Sequence, residues 1–320
     1  MSEQVTQDLK KRITVTVPTY NEAENVQPLV HAIVQQFEGA LCRYDYEILF
    51  IDNCSTDGTR EKLCALCAEN KRVKAIFNAR NFGQFRSPFY GLCQASGDCA
   101  VLMCADFQDP VELLPALVER WEQGFAVVCA VKNKSHENPL MRAARTLYYK
   151  LWRRMSEVET IEHFTGFGLY DASFLRVLRE LDDPSPYLRG IVAELGFSRT
   201  VVPYTQQKRR AGKSANNFAT LYDAAMQSFA TYTKAPIRAM MAVGVLSELA
   251  ALVLGVLATV QLCLGTSLPW LWVGFGVALL GGMQMMGLSV LGEYLLALRA
   301  KVMRRPVVVE QQRINFEEDQ

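Results

Sequence analysis

Short apolar runs recur at regular intervals along the first 135 residues and are separated by amphipathic stretches. The apolar runs predict buried strands at Ile13–Val17, Tyr46–Asp52, Val73–Phe77, Cys99–Asp106 and Phe125–Val131. The stretches between them predict helices at Glu24–Glu38, Thr59–Asn70, Gln84–Ser96 and Val111–Gln123. Alternation of strand and helix is typical of βαβ units, so we expect an α/β fold with a Rossmann-like, mostly parallel sheet.

The hydropathy pattern changes after residue 235. Residues 237–264 and 270–298 are apolar, and each segment exceeds the roughly 20 residues that a membrane-spanning helix needs. The link 265–269 has no basic residue. Basic residues flank the pair of segments on both sides: Lys234, Arg238, Arg299, Lys301, Arg304 and Arg305. By the positive-inside rule, we expect a two-helix hairpin in the inner (plasma) membrane with both termini cytoplasmic. Two buried helices of a soluble core are the alternative.

This pattern divides the chain into a domain at 1–215, a juxtamembrane segment at 216–235, the hairpin at 236–298 and a cytoplasmic tail at 299–320. Glu248 lies inside the first predicted span, where an ionisable group needs a partner. That partner is either Gln284 of the second span or a neighbouring subunit, so a homo-oligomer is possible.

Charge and cysteine content narrow the class of protein further. The formal net charge of +1 argues against a nucleic-acid partner, which would favour a strongly basic face. Nine cysteines without framework spacing, and no secretory signal, indicate reduced thiols. We interpret Cys64 and Cys67, a CxxC pair on a predicted helix, as packed thiols and not as a metal site.

Polar loops follow four of the predicted strands. They are Pro18–Glu22, Asp52–Thr59, Asn78–Gly83 and Asp106–Pro110. Each loop alone is also an ordinary turn or helix cap. Because ligands of parallel sheets bind at the carboxyl ends of the strands, the four together predict a binding site there.

The residue types in these loops suit a nucleotide-sugar. The carboxylate of Asp52 can bond the base or ribose, residues 18–21 can wall the base, and Glu22 can reach the nucleotide or hold its loop. Asp106 and Gln108 offer oxygen ligands for the Mg²⁺ or Mn²⁺ that would neutralise a diphosphate.

These motifs resemble those of family 2 inverting glycosyltransferases with the GT-A fold, and specifically the polyprenyl-phosphate subgroup. The resemblance runs from Ile13 to Pro306 and includes Leu291–Leu295 followed by basic residues. It implies transfer of a sugar, with inversion, from a nucleotide-sugar to a polyprenyl phosphate at the cytoplasmic membrane face. UDP is the favoured nucleotide and GDP is possible.

The resemblance also implies roles for individual residues. The nucleotide-sugar would contact Pro18, Tyr20, Asn21, Glu22, Asp52, Asn81, Gly83 and Asp106. The metal would be held by Asp106 and Gln108, and the catalytic group would comprise Asp106, Asp109 and Arg209. The residues at 140–155 themselves predict a basic amphipathic helix, which is either an interfacial helix or a core helix with a solvated basic face. As an interfacial helix, it would let Arg142 and Arg145 bind the acceptor phosphate together with Arg209.

Three positions depart from the family pattern. Cys104 stands where relatives carry the first aspartate of the metal motif, and a thiol suits Mg²⁺ poorly. The Asp-Phe-Arg string of relatives corresponds to Thr165–Tyr170, which lacks both charged residues, and Ala215 replaces a lysine. These losses keep open an alternative, a catalytically impaired scaffold or regulator. Two spans are too few for a processive synthase or a transporter.

Overall fold

A computed structural model describes residues 10–134, 161, 163–181, 183, 186–207, 210, 306–316 and scattered positions between 273 and 302. Compact packing divides the chain into two units. The first comprises Met1–Leu147, Glu159–Asn217 and Arg304–Gln320, and the second comprises Tyr148–Val158 and Phe218–Met303.

The first unit is built on one eight-stranded mixed sheet with the order β7-β5-β6-β4-β1-β2-β3-β8. Its strands are β1 Arg12–Thr19, β2 Asp45–Asp52, β3 Val73–Asn78, β4 Cys99–Leu102, β5 Val127–Lys134, β6 Phe164–Asp171, β7 Arg199–Thr205 and β8 Glu310–Ile314. β1 pairs in parallel with β2 and β4, β2 with β3, and β5 with β7. β6 runs antiparallel to β4 and β5, and β8 runs antiparallel to β3.

In the part of the chain that the structure describes, six α-helices accompany the sheet: α1 Val26–Glu38, α2 Thr59–Glu69, α3 Gly83–Gln94, α4 Leu114–Glu122, α5 Ala172–Glu180 and α6 Leu188–Glu194. The apolar residues of α1 recur at helical spacing and are buried at Val26, Leu29, Val30, Ile33 and Phe37. The side chain of Asp171 caps α5 by accepting a hydrogen bond from the Ser173 amide at 2.8 Å. Apolar side chains pack into two main core clusters, one containing Ile13 and Phe50 and the other Phe89 and Phe174.

The predicted α/β class is confirmed, and each of the nine predicted elements is present with shifted ends. The fourth strand ends at Leu102, four residues before its predicted end at Asp106, because the chain turns into the loop that carries Asp106. The last predicted helix begins with a short 3-10 turn at Val111–Leu113 before α4. Strand β8 had no counterpart in the predicted tail.

Residues of the second unit are described only at scattered positions. Several of those positions are helical and expose apolar side chains, among them Leu288, Leu291 and Leu295. Among the described residues, no helix combines the length and the apolar character that a membrane span requires. The predicted spans at 237–264 and 270–298 lie largely outside the described residues and stay a prediction.

Candidate functional site

The loops that follow β1 and β2 are joined to each other by hydrogen bonds at one edge of the sheet. The Asn21 amide donates to Ser55 Oγ at 2.8 Å, and the Thr56 amide donates to Asn21 Oδ1 at 2.8 Å. Asn21 has a left-handed backbone with φ of 56°, which asparagine tolerates better than most residues. The Glu22 amide donates to Thr59 Oγ1 at 2.9 Å. These bonds fix the backbone of both loops as one surface.

Asp52 lies at the end of β2 and is fully buried. Its Oδ2 accepts from the Ser55 amide at 3.2 Å and lies 3.7 Å from Arg60 Nε. Its Oδ1 is buried and has no hydrogen-bond partner within the described residues. Burial raises the pKa of the Asp52 carboxyl above its usual value, and the lowering by Ser55 and Arg60 does not fully offset this. An unsatisfied buried acceptor is costly, so this oxygen is suited to a ligand N–H or O–H group.

An asparagine network organises the loop after β3. Asn53 Nδ2 donates to Asn81 Oδ1 at 2.8 Å, and Asn53 Oδ1 accepts from Asn78 Nδ2 at 3.1 Å and from the Phe82 amide at 2.9 Å. The Gly83 amide donates to Asn81 Oδ1 at 2.8 Å, and Gly83 starts α3 with a φ of 89°. Asn81 therefore shapes this loop, in addition to its predicted role towards the nucleotide.

The loop after β4 presents the two predicted catalytic carboxylates in different ways. Asp106 Oδ1 accepts from the Gln108 amide at 3.1 Å, and Phe107 between them has a left-handed φ of 60°. Asp109 is buried, and its oxygens accept from the Cys104 amide at 3.0 Å and from the Tyr204 hydroxyl at 3.0 Å. Burial raises the pKa of the Asp109 carboxyl, and these two bonds work against that rise. Both carboxylates are buried, and Asp109 holds the loop through its bonds to Cys104 and Tyr204, while the bond that Asp106 accepts lies within the loop.

Cys104 stands beside both carboxylates. Desolvation and the charges of Asp109 and Asp106 raise the pKa of its thiol well above the usual value. Without a metal cation nearby, the residue is therefore a neutral thiol at neutral pH.

The other predicted site residues fall into two groups. Pro18 is half-buried within β1, and Tyr20 is 41% exposed beside Asn21. Glu22 is largely buried and accepts a hydrogen bond from Asn25 Nδ2 at 2.6 Å, which favours its loop-holding role. Arg142, Arg145 and Arg209 lie outside the described residues, so their predicted contacts with the acceptor phosphate stay predictions.

Sequence reasoning missed three residues that support the site. Arg60 approaches Asp52, Tyr204 bonds Asp109, and Arg210 places its guanidinium 5.3 Å from the ring centre of Phe107. The Arg210 amide also donates to the Asp106 carbonyl at 3.4 Å. Arg60 had a local signal, because it directly follows the Asp52–Thr59 loop, but Tyr204 had none.

Comparison with known proteins identifies the family. The family model described as "Glycosyl transferase family 2" matches residues 14–178. The chain therefore belongs to glycosyl transferase family 2, and its mostly parallel α/β domain has the GT-A fold. It is a glycosyltransferase.

Two curated relatives match over nearly the full length of both chains. The chain is 30% identical over 300 residues to the SfII prophage-derived bactoprenol glucosyl transferase of Shigella flexneri, covering 92% of this chain and 96% of the relative. It is 27% identical over 296 residues to the putative glycosyltransferase CsbB of Bacillus subtilis, covering 92% and 89%. A solved mannosyltransferase from Pyrobaculum calidifontis, in complex with GDP-Man and Mn²⁺, is 16% identical over 93% of this chain and 88% of its own, with a TM-score of 0.47.

Proposed function

We propose that the protein transfers a sugar from a nucleotide-sugar to a polyprenyl phosphate at the cytoplasmic face of the membrane. The observation that carries the proposal is the match to bactoprenol glucosyl transferases over 92% of the chain. At most about 26 of the 320 residues lie outside that match, so it includes most of the predicted hairpin as well as the family 2 domain.

The geometry of Asp52 supports the nucleotide half of the reaction. We expect its unsatisfied Oδ1 to accept a ring N–H of the base, N3–H in uracil or N1–H in guanine. The hydrogen-bonded loops around Asn21 and Ser55 would wall the base, and the exposed ring of Tyr20 lies beside them. This arrangement is compatible with the favoured UDP and also with GDP, and it leaves the choice of sugar to other groups.

Asp106 and Gln108 suit a divalent cation. Mg²⁺ is usually held by one or two carboxylates together with substrate phosphates and water, so one aspartate and one amide are a sufficient protein contribution. The neutral thiol of Cys104 would stay outside the coordination shell of such a hard ion. The bound ion would neutralise charge on the departing nucleoside diphosphate.

Apart from the metal ion, the sugar transfer depends mainly on how the two substrates are placed. A lipid phosphate is already anionic at neutral pH, so its oxygen can attack the anomeric carbon with little help from a general base. Attack opposite the departing diphosphate breaks the bond to that group, forms the sugar–phosphate bond and inverts the anomeric centre. Arg142, Arg145 and Arg209 are our candidates for holding the acceptor phosphate, since guanidinium groups pair bidentately with phosphate.

A donor panel tests this proposal. Purified full-length protein would be incubated with UDP- and GDP-sugars, Mg²⁺ or Mn²⁺, and undecaprenyl phosphate, and lipid products would be detected by mass. We expect one glycosyl phospholipid, with the anomeric configuration opposite to that of the donor, and none when undecaprenol replaces its phosphate. Absence of glycolipid with every donor would favour the alternative of an impaired scaffold.

A further inference from the structure

We propose that the C-terminal strand β8 is a working part of the nucleotide site, and that Gln311 acts through Arg60 to position the Asp52 carboxylate. The inference rests on the proposed function, because it assumes that Asp52 contacts a nucleotide base. It assigns Arg60 and Gln311 as positioning residues.

Three contacts hold the Arg60 guanidinium at the edge of the site. Its Nε lies 3.7 Å from Asp52 Oδ2, and its Nη2 donates to Gln311 Oε1 at 3.0 Å. Its planar face lies over the Phe77 ring at 4.8 Å from the centroid. Arginine has a long and flexible stem, so a fixed position requires partners on several sides. Gln311 supplies the partner on the side of β8.

Strand β8 is firmly attached, so the Gln311 side chain starts from a fixed backbone. At one end the Ala79 amide donates to the Val309 carbonyl at 2.9 Å. At the other end Asn315 Nδ2 donates to the carbonyls of Cys67 and Val73, both at 2.7 Å. These bonds join β8 to β3 and to the end of α2, the helix that carries Arg60.

The two oxygens of the Asp52 carboxylate have different surroundings, and Arg60 helps to set that difference. The Ser55 amide and Arg60 both approach Oδ2, which leaves Oδ1 without a partner among the described residues. Loss of Arg60 would leave Ser55 alone to orient the carboxylate. Asp57 is the other charged group that faces Asp52, and it disfavours ionisation there. Arg60 is therefore the one nearby cation among those groups that keeps Asp52 charged and oriented.

This contact links parts of the chain that are far apart in sequence. Arg60 and Gln311 are separated by 251 residues, and the two predicted spans lie between them. The nucleotide site is therefore complete only after the chain has passed through the predicted hairpin and returned to the edge of the sheet.

Calorimetric binding of UDP and GDP to the full-length protein tests the inference, with Arg60→Ala, Gln311→Ala and the double variant. We expect about tenfold weaker binding for Arg60→Ala and about threefold for Gln311→Ala. The double variant should bind no more weakly than Arg60→Ala, because Gln311 acts through Arg60. Gln312→Ala is the matched control on the same strand, since its side chain makes no hydrogen bond within the described residues.

A pH series separates positioning from a merely structural effect. In Arg60→Ala, the loss of affinity on acidification should begin at a higher pH than in wild type, because Asp52 loses its cation. Arg60→Lys keeps the charge, so its affinity should begin to fall at a pH between those of wild type and Arg60→Ala. It replaces Arg60→Ala if that variant does not fold. The inference would be overturned if Gln311→Ala and the Arg60 variants all kept wild-type affinity. It would also be overturned if the loss of affinity in the double variant were the sum of the losses in the two single variants. Wild-type protein that binds neither nucleotide would instead overturn the proposed function.

Discussion

At the scale of single residues, we expect nucleotide binding to depend most directly on Asp52. It is a buried carboxylate with one satisfied oxygen and one unsatisfied oxygen. Its ionised form is the better acceptor for a base N–H group, since a charged acceptor makes the stronger hydrogen bond. Nucleotide affinity should therefore follow the protonation state of Asp52.

We predict that nucleotide affinity falls as the pH falls, with a midpoint above the value of about 3.9 that is usual for aspartate. The direction follows from the burial of Asp52, which raises its pKa, so the group takes up its proton before an exposed aspartate would. Asp52→Asn should weaken binding about tenfold near neutral pH and abolish the fall in affinity at acidic pH. Calorimetric titrations between pH 4 and 8 measure both effects. If the affinity of Asp52→Asn fell at acidic pH as in wild type, the proposed role of Asp52 in nucleotide binding would be contradicted.

The local sequence was sufficient to locate Asp52, Asn81, Asp106 and Gln108 at or just after the ends of strands, because the apolar pattern predicts those strands. Their roles towards a ligand stay predictions. The same reasoning could not find Gln311 or Tyr204, whose contacts depend on strand pairings at the two sides of the sheet. Antiparallel insertion of β6 between β4 and β5 is likewise set by long-range pairing and not by local pattern.

At the scale of elements, α3 approaches the sheet closely at Gly91. Gly91 faces β1 and β2, and a Cβ atom there would lie 2.7 Å from Ile51 Cγ1 and 2.7 Å from Thr16 Cγ2. These distances are far below van der Waals contact, so only glycine lets the helix pack this closely. The sequence alone did not reveal this requirement, because an isolated glycine in a helical pattern is usually only tolerated.

Gly91→Ala should lower the free energy of unfolding by about 1–3 kcal/mol, the usual cost of overpacking a core. The helix would have to move away from the sheet, because Ile51 and Thr16 are both buried. Urea unfolding followed by circular dichroism measures the change. Gln84→Ala, at an exposed position of the same helix, is the control and should change stability little. Equal stability of the two variants would contradict the tight packing.

At the scale of the whole molecule, Glu47 joins three strands through a buried polar cluster. Its carboxylate accepts from Thr14 Oγ1 at 2.6 Å and from the Ser96 amide at 3.0 Å, and pairs with Lys74 Nζ at 2.7 Å. Burial alone would raise the pKa of Glu47, but the bonds from Lys74, Thr14 and Ser96 outweigh burial and lower it. The cluster lies towards the ends of the strands opposite the site.

Glu47→Gln should reduce the free energy of unfolding by about 3 kcal/mol at neutral pH, because Lys74 would lose its buried partner. Since the pKa of Glu47 is lowered in the folded state, its stabilising contribution is present above its unfolded-state pKa. That contribution is lost as the pH falls through the folded-state pKa. Denaturant titrations at several pH values test this, and the exposed Glu69→Gln on α2 is the control. A variant with wild-type stability at neutral pH would show that the cluster is not stabilising.

The central claim is tested most directly by measuring transfer of sugar to undecaprenyl phosphate by the purified full-length protein and by Asp106→Ala. Asp106 is the predicted metal ligand, so its loss should reduce the rate of glycolipid formation at least about 100-fold. Glu112→Ala, at an exposed position in the same part of the fold, should leave the rate unchanged. Glycolipid formed by wild type and Glu112→Ala but not by Asp106→Ala is the predicted result. Wild-type turnover in Asp106→Ala, or no glycolipid from the wild-type protein, would contradict the account.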